Sequence, residues 1–97
     1  MSYLLRSRIV ATGHQAATVD AGGSLNSVAV TCAAVAKATD TILVSLDLNG
    51  GAGGMLSASE TPYIYAVTDA SGFTVACAVD NADALDRTVF INWTVLR

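Results

Sequence analysis

The feature that most constrains this chain is a hydrophobic alternation with a period of two. Phe73, Val75, Cys77 and Val79 alternate with Thr74, Ala76 and Ala78, and Val89, Ile91, Trp93 and Val95 alternate with Thr88, Phe90, Asn92, Thr94 and Leu96. Successive side chains of a β-strand point to opposite faces, so each series lines one face of a strand and the first-named set faces a core. A helix would repeat its apolar positions every third or fourth residue. Val28, Val30 and Cys32, and then Ile42, Val44 and Leu46, keep the same rhythm, with Leu43 the exception among their small or polar neighbours. Val, Thr and Ile dominate these runs, which suits a pleated, half-buried surface.

Clusters of Gly, Asn, Asp and Ser interrupt the runs about every ten residues, the spacing of sandwiches and barrels. Seven strands are expected, near 3–11, 16–20, 26–35, 41–48, 62–68, 72–79 and 87–96. Turns are expected at Thr12-Gly13-His14, 20–24, 37–40, 49–54, 69–72 and 80–86. The reading is therefore an all-β chain folded as an antiparallel β-sandwich, jelly-roll or Ig-like. With 97 residues it can bury a single core, so residues 1–97 read as one domain, with 1–11 as an N-terminal arm or edge strand. Trp93 is expected to be the largest core side chain, its indole N–H needing a partner.

Hydrophobic residues make up 53% of the chain and charged ones 13%, about half the usual share for a soluble domain. That is more apolar surface than a lone small domain readily buries: either the surface is unusually rich in Ala, Thr and Ser or, the favoured reading, it is covered by copies of the same chain or by a partner. Phe90 and Leu96, on the face of the last strand opposite the core, are the first candidates for such a contact. Arg6 and Arg8 lie on one face of the first strand, opposite Tyr3, Leu5, Ser7 and Ile9, and are the charged candidates: they suit an exposed edge or docking on an acidic partner.

The same composition excludes several classes. A net charge of −3 and a pI near 4.6, with only Arg6 and Arg8 close together, oppose nucleic-acid binding. No apolar run approaches the roughly 18 residues of a membrane span, and Arg6 stands where a signal peptide would have its apolar centre. Cys32 and Cys77 fall inside apolar runs and read as two buried free thiols. His14 is the sole histidine and reads as an exposed turn residue without the partners of a triad or an acid–base pair, so no enzyme is expected.

Nor does any segment match a cofactor or metal motif. Asn49-Gly50-Gly51-Ala52-Gly53-Gly54 lacks the Lys-Ser/Thr ending of a phosphate loop. Asp47 and Asn49 start like a calcium loop, but Ala58 stands where its bidentate Glu belongs. Asp80, Asp83 and Asp86 crowd one loop and read as a solvated turn rather than a cation site. Asn92-Trp93-Thr94 has the form of a glycosylation sequon but lies mid-strand.

The succession Ala17-Thr18-Val19-Asp20-Ala21-Gly22-Gly23-Ser24, Ser27-Val28-Ala29-Val30-Thr31, Thr39-Asp40-Thr41-Ile42-Leu43-Val44, Gly72-Phe73-Thr74-Val75 and Phe90-Ile91-Asn92-Trp93 resembles the small β-sandwich modules of tailed-bacteriophage virions. In those modules, which serve as head decoration or cement proteins and as fibre domains, a Gly-containing turn precedes a Thr/Val strand, a later strand opens with Gly-Phe, and the last ends near a Trp. The resemblance implies a structural virion component assembled in the host bacterial cytoplasm. It implies a homo-oligomer, a trimer for preference, that binds the major capsid protein or another virion protein and stabilises the outer capsid surface. It implies no catalytic residue and no cofactor. The alternative is a carbohydrate-binding head or tail fibre module for host attachment, for which Tyr63 and Tyr65, on one strand face, are the stacking candidates and a glycan the ligand.

Overall fold

The computed structural model describes residues 8–48 and 55–97. They form six strands and, among the described residues, no helix: β1 (Ile9–Val19), β2 (Ser24–Thr31), β3 (Thr41–Asp47), β4 (Leu56–Thr68), β5 (Gly72–Asn81) and β6 (Arg87–Leu96). Two three-stranded antiparallel sheets pack together, the first in the order β1-β6-β3 and the second β2-β5-β4. The pairings are nested. β1 pairs with β6 and β2 with β5, while the next strands inward, β3 and β4, belong to opposite sheets and do not pair.

The strand count is six rather than seven because the expected turn at Thr12-Gly13-His14 is the middle of β1. Gly13 is opposite Trp93 in the ladder, and a Cβ there would lie 2.3 Å from Trp93 Cζ2. Glycine marks the place where the indole lies against the neighbouring backbone, so the strand runs through it. The expected break between 3–11 and 16–20 thereby disappears, although residues 3–7 lie outside the described part. The expected strand 26–35 also ends early. After Thr31 the chain turns away, and Val35, 2% exposed, enters the core from the connection to β3.

The core follows the parity of the sequence. Val28, Val30, Phe73, Val75, Cys77 and Val79 from the second sheet meet Val19, Val89, Ile91 and Val95 from the first. Trp93 is not its largest fully buried member: Ile91 is, and Trp93 is half-buried at the margin, meeting Phe73 edge to face with ring centroids 5.5 Å apart. Because β3 and β4 do not pair, Ile42, Val44, Leu46 and Leu48 reach only partial burial. A cleft of about 520 Å³ opens there, between Val44, Leu46 and Leu48 on one side and Ala58 to Pro62 on the other.

The inward series of β5 continues one step beyond the apolar residues to Asn81, which is 2% exposed. Its side-chain amide donates to the carbonyls of Val19 at 3.0 Å, Leu85 at 3.0 Å and Asp20 at 3.3 Å, and its Oδ1 accepts from the Asp83 backbone N–H at 2.9 Å. One buried amide thus holds the end of β1 and the β5–β6 loop together.

Candidate functional site

The outer face of the first sheet is built by the alternate residues of β6 and their cross-strand neighbours. Thr94 is flanked by Thr12 and Leu43, Asn92 by His14 and Ser45, and Phe90 by Ala16 and Asp47. Leu96 is flanked by Ile9 and Thr41. Thr12 donates its hydroxyl to the Trp93 carbonyl at 2.9 Å. His14, on a strand rather than in the expected turn, donates from Nδ1 to Asn92 Oδ1 at 2.6 Å and stacks on Phe90 with centroids 4.3 Å apart and planes 16° from parallel.

Phe90 therefore has intramolecular cover that its sequence neighbours did not reveal. The imidazole of His14 lies over one side of its ring, and what remains exposed is a mixed aromatic and amide surface. Had Gly13 not suggested a turn, the alternation Thr12, His14, Ala16, Thr18 would have placed His14 on this face.

Leu96 lies at the other end of the same face, six residues along β6 and so roughly 20 Å from Phe90. Between Ile9 and Ala11 the β1–β6 register slips by one residue, a β-bulge at Val10. Two residues of β1 advance there against one of β6, so Val10 and Ala11 both pack toward the core while Ile9 turns outward beside Leu96. Ile9 is 66% exposed, and Leu43, diagonal to Leu96 on the same face, is 53% exposed. Ile9, Leu43 and Leu96 make an apolar patch of which only Leu96 was anticipated, because a bulge reverses side-chain parity without any composition signal.

Charges border this patch. Arg8 is exposed, and its backbone exchanges two 2.9 Å hydrogen bonds with Arg97. Arg97 Nε lies 2.9 Å from Asp40 Oδ1, and its Nη2 donates to the Ala34 carbonyl. The Arg97 guanidinium, with the Ala36 N–H and Thr39 hydroxyl, holds the Asp40 carboxyl at about 2, below its usual 3.8. Arg6 lies outside the described residues, as does the Gly-rich segment 49–54. Of the four anticipated contact residues, the structure thus brings Arg8 and Leu96 to one end of the face and Phe90 to the other.

The remaining candidates take separate structural roles. Asp80 accepts the Ser24 hydroxyl at 2.6 Å, Asp83 pairs with Arg87, and Asp86 accepts the Ala21 N–H at 2.8 Å. Those three carboxylates are directed at three different partners, and among the described residues no group of three His, Cys, Asp or Glu is arranged to hold a metal ion. Cys32 and Cys77 are buried free thiols. Cys32 directly follows Thr31, which is laddered to Gly72, whereas Cys77 is five residues and roughly 17 Å further along β5, beyond disulfide reach. No described helix is long and apolar enough to cross a membrane. Comparison with known protein families, characterised proteins and solved structures finds no match.

Proposed function

We propose that this chain is a structural virion protein without catalytic activity, of the capsid decoration or cement type, which assembles with copies of itself and stabilises an outer capsid surface. The observation that carries the assembly part is the patch of Ile9, Leu43 and Leu96, three large aliphatic side chains at one end of a sheet face whose middle is made of Thr12, Thr94, His14, Asn92 and Ser45. Covering a Leu or Ile completely contributes roughly 1.5–3 kcal/mol, so three of them on each of several copies supply a substantial drive to associate. Arg8 and the Arg97–Asp40 pair at the border give such a contact a polar rim.

The virion part rests on the resemblance of the Thr/Val, Gly-Phe and Trp-containing segments. The nested pairing of β1 with β6 and β2 with β5 supports, within the sandwich class, the jelly-roll winding over the Ig-like one. Repeated copies on a capsid would gain retention through multivalency even from weak single contacts. The reading without catalysis is supported by the partners of His14, an amide and an aromatic ring rather than a nucleophile or a carboxylate.

Sedimentation equilibrium tests the assembly part directly. The wild-type chain should form a closed oligomer, a trimer for preference, and Leu43→Lys should shift it toward monomer without loss of β-sheet circular dichroism. A wild-type monomer at the highest attainable concentration overturns self-assembly, and absence of the chain from purified particles overturns the virion role.

A further inference from the structure

The opposite side of the sandwich carries a different kind of surface. On the outer face of the second sheet, the rung Ser27–Ala76–Tyr63 sets a small residue in the centre between a hydroxyl and an aromatic ring. Ala76 is 9% exposed and forms a floor. Tyr63 and Tyr65 stand over one side at 53% and 72% exposure, Asn26 and Ser27 stand over the other, and Thr74 closes the end. The hollow so formed measures about 300 Å³, at the small end of the range for ligand sites.

Backbone irregularities flank the hollow on both sides. The β2–β5 register slips between Leu25 and Ser27, and both Asn26 and Ser27 are exposed as consecutive residues. The β4–β5 register slips between Ile64 and Ala66, so that Tyr65 is the extra residue of a bulge and Tyr63, Tyr65 and Ala66 are all exposed. Bulges are found where a strand re-aims side chains, often beside binding sites. Two of them converge here on one short stretch of β5.

We propose that this hollow binds a neutral pyranose unit of a glycan chain. Three features select that ligand class. Two exposed phenol rings offer flat apolar faces to the C–H face of a sugar ring, and each rigid ring loses little entropy on contact. The side chains of Asn26, Ser27 and Thr74, with the two phenol hydroxyls, form no side-chain hydrogen bond within the described residues and are free to meet sugar hydroxyls as donors and acceptors. None of the six lining residues is charged, so the site has no counter-ion for a phosphate, a sulfate or a carboxylated sugar.

A second copy of the chain is the poorer occupant, because a subunit contact would have to leave these amide and hydroxyl groups paired or pay their desolvation. The proposal does not depend on the assembly reading, since the Ile9, Leu43 and Leu96 patch lies on the other sheet.

The full chain should be tested by microarray and then by isothermal titration with neutral oligosaccharides of glucose, galactose, mannose and N-acetylglucosamine, with sialylated and sulfated glycans as the charged arm. One neutral class should bind saturably. Tyr65→Ala should weaken it by about tenfold or more, the cost of removing one stacking ring, and Tyr65→Phe should weaken it far less. Ala76→Leu should abolish it by filling the floor. Circular dichroism and sedimentation of the two Tyr65 variants should match the wild type, since Tyr65 is mostly exposed. No binding to any neutral glycan at millimolar concentration, preference for the charged arm, or binding indifferent to both Tyr65→Ala and Ala76→Leu each overturns the site. So does a change of oligomeric state in Tyr65→Ala, which would make the tyrosines a subunit contact.

Discussion

A Cβ on Gly13 would lie 2.3 Å from Trp93 Cζ2 and 2.7 Å from Nε1, so any other residue there must displace the indole. Gly13→Ala is expected to destabilise the chain by about 1–3 kcal/mol in urea unfolding, the usual cost of overpacking. The loss should shrink in a Trp93→Leu background, where the ring is gone, and equal losses in both backgrounds would show that the clash is not the cause. Asn81 is the other residue on which local order depends. Asn81→Leu leaves the carbonyls of Val19 and Leu85 without their buried donor, and about 2–3 kcal/mol should be lost in the same measurement. A signal for Asn81 was present in the sequence, because it extends the inward parity of Phe73, Val75, Cys77 and Val79. Polar residues at such positions usually mark a strand end, and only the packed loop shows that its amide points inward.

At the scale of the elements, the β4–β5 hairpin turns through Ala70, whose φ of 56° is in the left-handed region that a Cβ disfavours. The turn is held in place by the connection from β2 to β3: Ala70 N–H donates to the Val35 carbonyl, and Asp69 accepts the Lys37 N–H at 2.6 Å. Ala70→Gly is expected to raise the thermal midpoint, with a net gain of a few tenths to about 1 kcal/mol once the entropy of glycine in the unfolded chain is subtracted. A lowered midpoint would mean that the surrounding bonds, rather than the Cβ, set the conformation. The same β2–β3 connection is tied to the end of β6 by Asp40 and Arg97. The folded carboxyl titrates at about 2 and its unperturbed value is 3.8, so the folded state favours the ionised form. The stabilisation is complete above pH 4 or so and is lost as pH falls from there through about 2. Arg97→Gln should therefore destabilise the chain by a constant amount between pH 6 and 8, and the difference from wild type should shrink as pH falls from about 4 through about 2; a variant as stable as wild type above pH 4 would remove the pair from the account.

Taken as a whole, the molecule is a nested winding in which Ile9 is laddered to Leu96 and Ser24 to Asp80. Both thiols lie within that winding, Cys32 6% and Cys77 3% exposed, and burial, with the charge of Glu60, pushes the Cys77 thiol above its usual value. A disulfide-exchange reagent at pH 8 should label neither thiol until the chain unfolds, with labelling rates that track global stability across the Asn81 and Gly13 variants. Prompt labelling of native protein would show that the core opens locally. Because most ladder contacts join distant parts of the chain, refolding should fall in the millisecond-to-second range typical of all-β domains.

Parity along the strands was enough to specify the all-β class, the inward sets of β2, β5 and β6 and the burial of both cysteines, since alternation is a local consequence of strand geometry. It could not resolve the course of β1, because Gly13 has the same letter in a turn and in a strand that makes room for an indole; only the presence of Trp93 across the ladder distinguishes the two. Nor could it place Ile9, whose face depends on a one-residue slip against β6, or bring Asn26 and Ser27 opposite Tyr63 and Tyr65, some 40 residues away in sequence. Register and sheet order are set by which strands meet, and that is decided by the packing of the whole core rather than by any window of the chain.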